Sequence, residues 1–287
     1  MIGYHYFPGA RTSWRLHHGV LIPLGMPHAL PLITAQEIRQ TLIEHRAFLV
    51  RWEESFDQQG EGEWWHIIKD APESLETLSS NTRSKVRRGL KNTISKPTAR
   101  EVILNEGYDV YRSAFDRYET FEAMFSPSQF REAVEALPAE TEFWEARNRE
   151  TGELIAFSEN LVRDEACFYN TMWFQPQALK AYAGYALIHE MNKHYLNDRS
   201  LLYVSDGARS ISHSTNIHDF LEQKFGFRRA YARLRVVYFP GVGAAVRLLY
   251  PFRQWFASRS SGVFQKIAVL LEQERIRRAC IEQEEKA

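Results

Sequence analysis

Lys180 to Ala186 reads KAYAGYA, a run of small residues that opens directly into the amphipathic stretch LIHEMNKHYL. Where a helix starts, its first N–H groups lack partners within the helix and carry the positive end of the dipole, so a diphosphate can be held by backbone donors. Ala183, Gly184, Tyr185 and Ala186 form the candidate cradle, with Lys180 as a mobile cation at its entrance. The same small residues would equally serve tight helix-on-strand packing. Asp206 ends the short apolar run LLYVSD, and ligands gather outside the carboxyl ends of parallel strands. A turn or cap aspartate is its other reading. Glu159 is a carboxylate in the otherwise apolar IAFSENL, and Tyr169 and Asn170 alternate on the strand that follows. Tyr169 is a donor if its face lines a cleft and a core aromatic if it does not. His213, in the polar run ARSISHSTN, reads as a proton shuttle or as a solvated loop histidine.

Arg83, Lys85, Arg87, Arg88 and Lys91 crowd one side of TRSKVRRGLKN. That face is solvated, or contacts the phosphates of a nucleotide-bearing donor, or contacts tRNA. Tyr118, Phe121 and Phe125, in FDRYETFEAMF, line an acceptor pocket or make up the apolar face of a helix. His17 and His18 adjoin, but no third ligand is spaced to complete a metal site, so no metal is expected.

The elements that position these residues follow from periodicity and punctuation. HHGVLIPLG reads as a strand, and TAQEIRQTLIEHR as a helix opened by the capping-box pair Thr34 and Glu37, with Ile38, Leu42 and Ile43 on one face. FLVRWEE and EWWHIIKD read as strands around the polar turn SFDQQGEG. SLETLSSNTRSKVRRGLKN is helical through Leu75, Leu78, Thr82, Val86 and Leu90. From Ala99 a fresh domain is expected, with EVILNEG a strand and DVYRSAFDRYETF and SPSQFREAVEAL helices. The turn signals Glu150-Thr151-Gly152 and Arg163-Asp164 then cut TEFWEARNRETGELIAFSENLVRDEACFYNTMWF into three antiparallel strands. Next comes the KAYAGYA helix, with Leu187, Ile188, Met191 and Tyr195 as its stripe, and the strand LLYVSDG, which a β-α-β crossover makes parallel to its predecessor. NIHDFLEQKF is a helix stopped by Gly226, and FRRAYARLRVVYF a last strand. The remainder reads as two helices broken by Pro251 and SRSSG.

Composition narrows the function classes. Lys and Arg number 36 against 36 Asp and Glu, so whole-chain charge gives no reason to expect DNA, and any basic site must be local. Two distant cysteines, Cys167 and Cys280, have no metal spacing and point to a reducing compartment. The start MIGYHYFPGARTSW lacks the pattern of an export signal, and no window reaches membrane-span length, so a cytoplasmic protein is expected. The apolar-basic mixture around LLYPFRQWF reads as an amphipathic helix packed on its own domain, with peripheral membrane contact through the C-terminal helices as the alternative.

The order of elements, with a small-residue loop between a meander strand and a helix, resembles the GNAT acyltransferase superfamily. Its signature is Arg or Gln, two residues, Gly, one residue, Gly or Ala; here Gly184 and Ala186 match, while Ala181 stands at the first position, leaving backbone donors and Lys180 to hold a phosphate. TRSKVRRGLKN, YVSDG and FLEQKFGFRRAYARL resemble the Fem-like branch, peptidyltransferase relatives with two GNAT-like halves, over Trp64 to Tyr238. In that branch an aspartate-glycine pair closes the corresponding strand, as Asp206-Gly207 does here, and a coiled-coil arm is usual, though no sustained heptads occur in this chain.

The resemblance implies an α/β (α+β) fold: a GNAT-like mixed sheet with an antiparallel meander and a parallel crossover, preceded by a smaller, partial GNAT-like half. The domains expected are 1–98, a partial subdomain ending in the basic helix; 99–240, the acyltransferase domain; and 241–287, a helical extension. The implied activity is N-acyl transfer from acyl-CoA, or from an acyl carrier protein, to a small-molecule or peptide amine by direct attack on the thioester. Asp206, Glu159, Tyr169 and His213 would carry the proton transfers, and Asn170, within Phe168-Tyr169-Asn170, would present a backbone donor to the carbonyl. One alternative is an aminoacyl-tRNA-dependent transferase acting on a peptide or cell-wall precursor. The other is a GNAT-like scaffold that binds a partner without catalysis.

Overall fold

The computed structural model describes residues 5–9, 12–116, 123–211, 216–259 and 262–284. The chain opens with strands β1 (His5–Phe7), β2 (Ser13–His17) and β3 (Val20–Leu24). HHGVLIPLG is thus not one strand: His18 and Gly19 both have positive φ and form the two-residue hairpin turn between β2 and β3. Helix α1 (Ala35–Glu44) carries the capping box at Thr34 and Glu37, and it buries Ile38 and Leu42. Ile43 is exposed, because one residue past Leu42 lies about 100° around the helix. Strands β4 (Leu49–Glu54) and β5 (Trp64–Lys69) follow.

Helix α2 (Ser80–Asn92) begins later than the spacing predicts, because the Ser79 side chain caps it by accepting from the Thr82 N–H. Leu75 and Leu78 therefore precede the helix. Strand β6 (Thr93–Thr98) and helix α3 (Arg100–Phe115) replace the expected EVILNEG strand. Over seven residues that run looks strand-like; over sixteen, Ile103, Gly107, Val110, Tyr111 and Ala114 are buried at helical spacing. The true strand holds Pro97, which β6 accommodates at the end of the strand order, where it pairs with β7 alone.

Helix α4 (Pro127–Glu135) carries a second capping box, at Ser126 and Gln129. Strands β7 (Thr141–Asn148), β8 (Leu154–Arg163) and β9 (Ala166–Phe174) form the antiparallel meander. Then come α5 (Pro176–Lys180), α6 (Ala183–Asn192), which continues as a π-helical turn Lys193–Asp198, and β10 (Tyr203–Ala208). Helix α7 (Asn216–Phe225), β11 (Arg228–Tyr238), α8 (Pro240–Leu249), α9 (Arg253–Ala257) and α10 (Gly262–Glu284) complete the chain.

These elements form two compact units of interleaved segments. The first is built mainly from Ile67–Gly207 and Ile217–Arg228. Its strands run β10-β9-β8-β7-β6, with β9 and β10 parallel and the rest antiparallel, as the crossover and meander readings expect. Leu187, Ile188, Met191 and Tyr195 are all buried, so the α6 stripe forms core. The second unit comprises His5–His66, Ala208–Asn216 and Arg229–Ala287. Trp14, Leu21, Ile38, Leu42 and Val50 form one of its clusters, Leu49, Trp64, Leu234, Ile276 and Cys280 another. Cys167 and Cys280 are both buried, and burial raises both thiols above their usual range. Among the described residues no helix is long and apolar enough to cross a membrane, and no cluster of residues could hold a metal ion.

Candidate active site

Within the first unit, β9 and β10 pair at Tyr203↔Ala166, Val204↔Cys167 and Ser205↔Phe168, and there the register ends. β9 nevertheless continues to Phe174 and β10 to Ala208. The strands part, and among the described residues the β9 edge from Tyr169 onward has no ladder partner on that side. The β8 register shifts at the same level: Asn160 pairs with Tyr169 but Glu159 with Thr171, so Asn170 is an extra residue in β9. It has no opposite number in β8, the arrangement by which a bulge re-aims the strand beside a site.

Asp206 follows Ser205, the last residue of β10 paired with β9, at the fork. Its Oδ2 lies 3.4 Å from His218 Nε2 on α7, and 12% of its side chain is exposed. Burial raises its pKa, and the neighbouring His218 works against that rise. Gly207 follows at φ +92°, and a Cβ there would come within 2.8 Å of the Phe168 ring, so both the backbone angle and the contact require glycine.

Parallel partners share a face, which places Val204, and hence Asp206 two residues on, on the face of Cys167 and Tyr169. That face meets α6. Tyr169 donates to Asn192 Oδ1 at 2.8 Å, and Asn192 Nδ2 donates to Glu73 Oε2 at 3.0 Å. Glu73 also meets His189 Nδ1 at 2.8 Å and Lys69 Nζ at 3.5 Å, and Lys69 donates to the Phe225 carbonyl at 2.8 Å. Burial holds the Tyr169 hydroxyl well above the usual phenol range, so it stays a neutral donor. Lys69, Glu73, His189, Asn192 and His218 are absent from the sequence-based site. The pair His189 and Asn192, three apart on one helix, was the available signal.

Glu159 points the other way, because it neighbours Asn160, which shares the face of Tyr169. It is 0% exposed, and burial pushes its carboxyl up to about 7. The structure therefore sets Asp206 and Tyr169 on one face and Glu159 on the other. Phe125 lies off α3: its N–H donates to the Tyr111 hydroxyl at 3.0 Å, and its ring stacks on Tyr111. Tyr118, Phe121 and His213 lie outside the described residues.

The mouth of α6 is shaped by α2. Tyr182, the residue before α6, is left-handed at φ 60°. A Cβ on Gly89 of α2 would lie 2.5 Å from the Tyr182 carbonyl and 2.9 Å from Ala186 Cβ. Ala183 and Ala186 are buried, and Gly184 is half-buried, 3.6 Å from the Phe174 ring by the same measure. Much of the small-residue run thus serves close approach of α2. The cations of α2 gather at the same mouth: Lys85 Nζ lies 3.4 Å from the Tyr185 hydroxyl, and Arg88 stands 5.9 Å over the Tyr182 ring. Arg87, Arg88, Lys91 and Lys180 are exposed, and among the described residues no carboxylate forms an ion pair with them or with Lys85.

No family model matches the chain, and no curated protein matches its sequence. Solved structures match its fold. FemX is similar at 9% identity over 86% of this chain and 85% of its own, with a TM-score of 0.54. L-PGS from Bacillus licheniformis is similar at 14% identity over 94% and 90%, with a TM-score of 0.52. The C-terminal domain of a proposed lysylphosphatidylglycerol synthetase from Agrobacterium fabrum is similar at 12% over 86% and 87%, with a TM-score of 0.51. At such identities the likeness establishes the fold alone: a mixed sheet with an antiparallel meander and a parallel crossover, shared with FemX and L-PGS.

Proposed function

We propose that this chain transfers an activated acyl group to an amine, and that the group arrives as an aminoacyl ester on tRNA. The observation that carries the transfer reading is the fork between β9 and β10, with the Asn170 bulge on one side and Asp206 beside His218 on the other. The acyl carbonyl would lie against the Asn170 backbone N–H, which stabilises the oxyanion. The acceptor nitrogen attacks the carbonyl carbon, the C–N bond forms as the ester C–O bond breaks, and Asp206 with His218 takes the amine proton and returns it to the departing ribose oxygen, which leaves as the tRNA hydroxyl. Glu159 is closed to solvent, so it is not the first choice of base despite its raised pKa.

The tRNA reading is supported by the cationic face of α2, which suits a long phosphate track, and by the Fem-like resemblance of TRSKVRRGLKN, YVSDG and FLEQKFGFRRAYARL. An acyl-CoA donor is the second reading, favoured by the partly open α6 mouth at Gly184 and Lys180. Equilibrium binding of aminoacyl-tRNA and of acetyl-CoA at several salt concentrations separates the two. Salt-sensitive tRNA binding is expected, with the slope of log K against log salt falling by about one for each of Arg87 and Arg88 replaced by Ala. Binding of acetyl-CoA with none of tRNA moves the donor to CoA, and binding of neither rejects both.

A further inference from the structure

The C-terminal helices of the second unit are apolar on two sides. Inward, Val246 and Phe256 join Leu271, with Val242, Leu249 and Phe264 packed around them. Outward, Leu248 is 73% exposed, Phe252 59%, Trp255 47% and Val263 70%. Leu248, Phe252 and Trp255 are spaced four and three apart along a run that stays helical from α8 through a 3-10 turn into α9, so they project from one side. The Trp255 ring meets Phe264 edge-on at 5.5 Å, which joins α9 to the start of α10. A helix packed only on its own domain needs one apolar stripe, and the second is unaccounted for by the fold.

Charge identifies what covers it. From Phe239 to Leu271 the sequence contains no Asp or Glu, while Arg247, Arg253, Arg259 and Lys266 lie among the apolar residues. In a chain with balanced charge this is a local excess of one sign. Arg259 lies over Trp255 at 4.6 Å and Arg253 over Tyr250 at 4.7 Å, so the cations sit beside the aromatic rings. A cleft of about 360 Å³ opens next to them, lined by Tyr238, Gly243, Arg247, Glu274, Arg277 and Arg278. Glu274 engages Arg277 and Arg278 at 2.7 Å each, whereas no described carboxylate pairs with Arg247, the residue before Leu248.

We infer that this face docks on an anionic lipid surface, with Leu248, Phe252, Trp255 and Val263 entering the interface, the cations meeting headgroup phosphates, and the Arg247 cleft receiving one headgroup. Exposed aromatic and aliphatic tips rimmed by arginine, with no acid among them, are the chemistry of an in-plane amphipathic helix; a protein partner would need its own acidic counterpart. The inference rests on the second unit alone and stands whether or not the acyl-transfer reading does.

The test is flotation of the purified full chain with vesicles of phosphatidylcholine, alone or mixed with phosphatidylglycerol, alongside light scattering of the protein alone. Salt-sensitive partition onto the phosphatidylglycerol vesicles and little onto the neutral ones is expected. The doubly substituted Phe252→Ser, Trp255→Ser chain should lose at least about tenfold in partition. Arg247→Glu and Lys266→Glu should each lose at least about fivefold on the anionic vesicles only. All the substituted side chains are exposed, and unchanged melting curves confirm that the variants fold. Absence of partition, partition equal in all variants, or self-association through this face without lipid binding overturns the inference.

Discussion

The two faces of the β8–β9 strand pair handle buried charge in opposite ways. On the α6 side, Glu73 is held by Lys69, His189 and Asn192, Tyr169 donates into the same group, and Asp206 lies beside His218 with part of its side chain reachable. On the other side, Glu159 is wholly enclosed, and burial raises its carboxyl to about 7. A raised pKa therefore has two meanings in one sheet. Where the carboxylate is open to an approaching substrate it describes a base; where it is closed to solvent it describes a cost of folding.

Asp206→Asn is the sharpest way to break this contrast. Transfer is expected to fall on the order of 100- to 10,000-fold while carrier binding holds, measured in single-turnover assays beside binding isotherms. Undiminished transfer would shift the base to the Glu159 face.

Glu159 gives the next largest effect, in stability. Its pKa in the folded protein is about 7 against an ordinary value of 4.5, so between these pH values the folded state holds more proton than the unfolded chain. The stabilisation is complete below about pH 4.5 and is lost as pH rises through 7, amounting to about 3 kcal/mol. Glu159→Gln should flatten that dependence, which denaturant melts at pH 5 and pH 8 would show. Equal pH dependence in both proteins would mean that Glu159 is already ionised in the fold.

Gly89→Ala tests the support beneath the α6 face, since the added Cβ would lie 2.5 Å from the Tyr182 carbonyl. A loss of about 1–3 kcal/mol is expected from calorimetric unfolding. A neutral result would show that α2 and α6 separate freely and would restore more of the KAYAGYA run to ligand binding. Tyr169→Phe is the mildest. It removes the donor to Asn192 Oδ1 and should cost about 1 kcal/mol. A loss of transfer well beyond that stability change would place Tyr169 in the chemistry rather than in the support of Glu73.

Much of the sheet was legible because its signals are local. Glu150-Thr151-Gly152 and Arg163-Asp164 announce the hairpins, and the helix between β9 and β10 dictates the parallel pairing. β6 has no counterpart in the sequence reading: it carries Pro97, a residue that a strand accommodates at an edge, and edge position is a tertiary property. Asp206 and Asn170 stood out by residue type and position. His218, Glu73 and Lys69 did not, since each meets its partner from a different segment: His218 is 12 residues beyond Asp206, and Glu73 reaches His189 across 116.

By itself the sequence determined the meander, the crossover, the small-residue run at the mouth of α6 and the basic face of α2, because hydrophobic period, turn chemistry and charge act over a few neighbours. Tertiary structure decided which face each carboxylate occupies, where β9 and β10 part, that Asn170 bulges, and that Gly89 rather than a ligand fills part of the α6 mouth. Those outcomes depend on strand register and on helix contact between distant segments. A single-residue shift in register turns a side chain to the opposite face, and no local pattern records it.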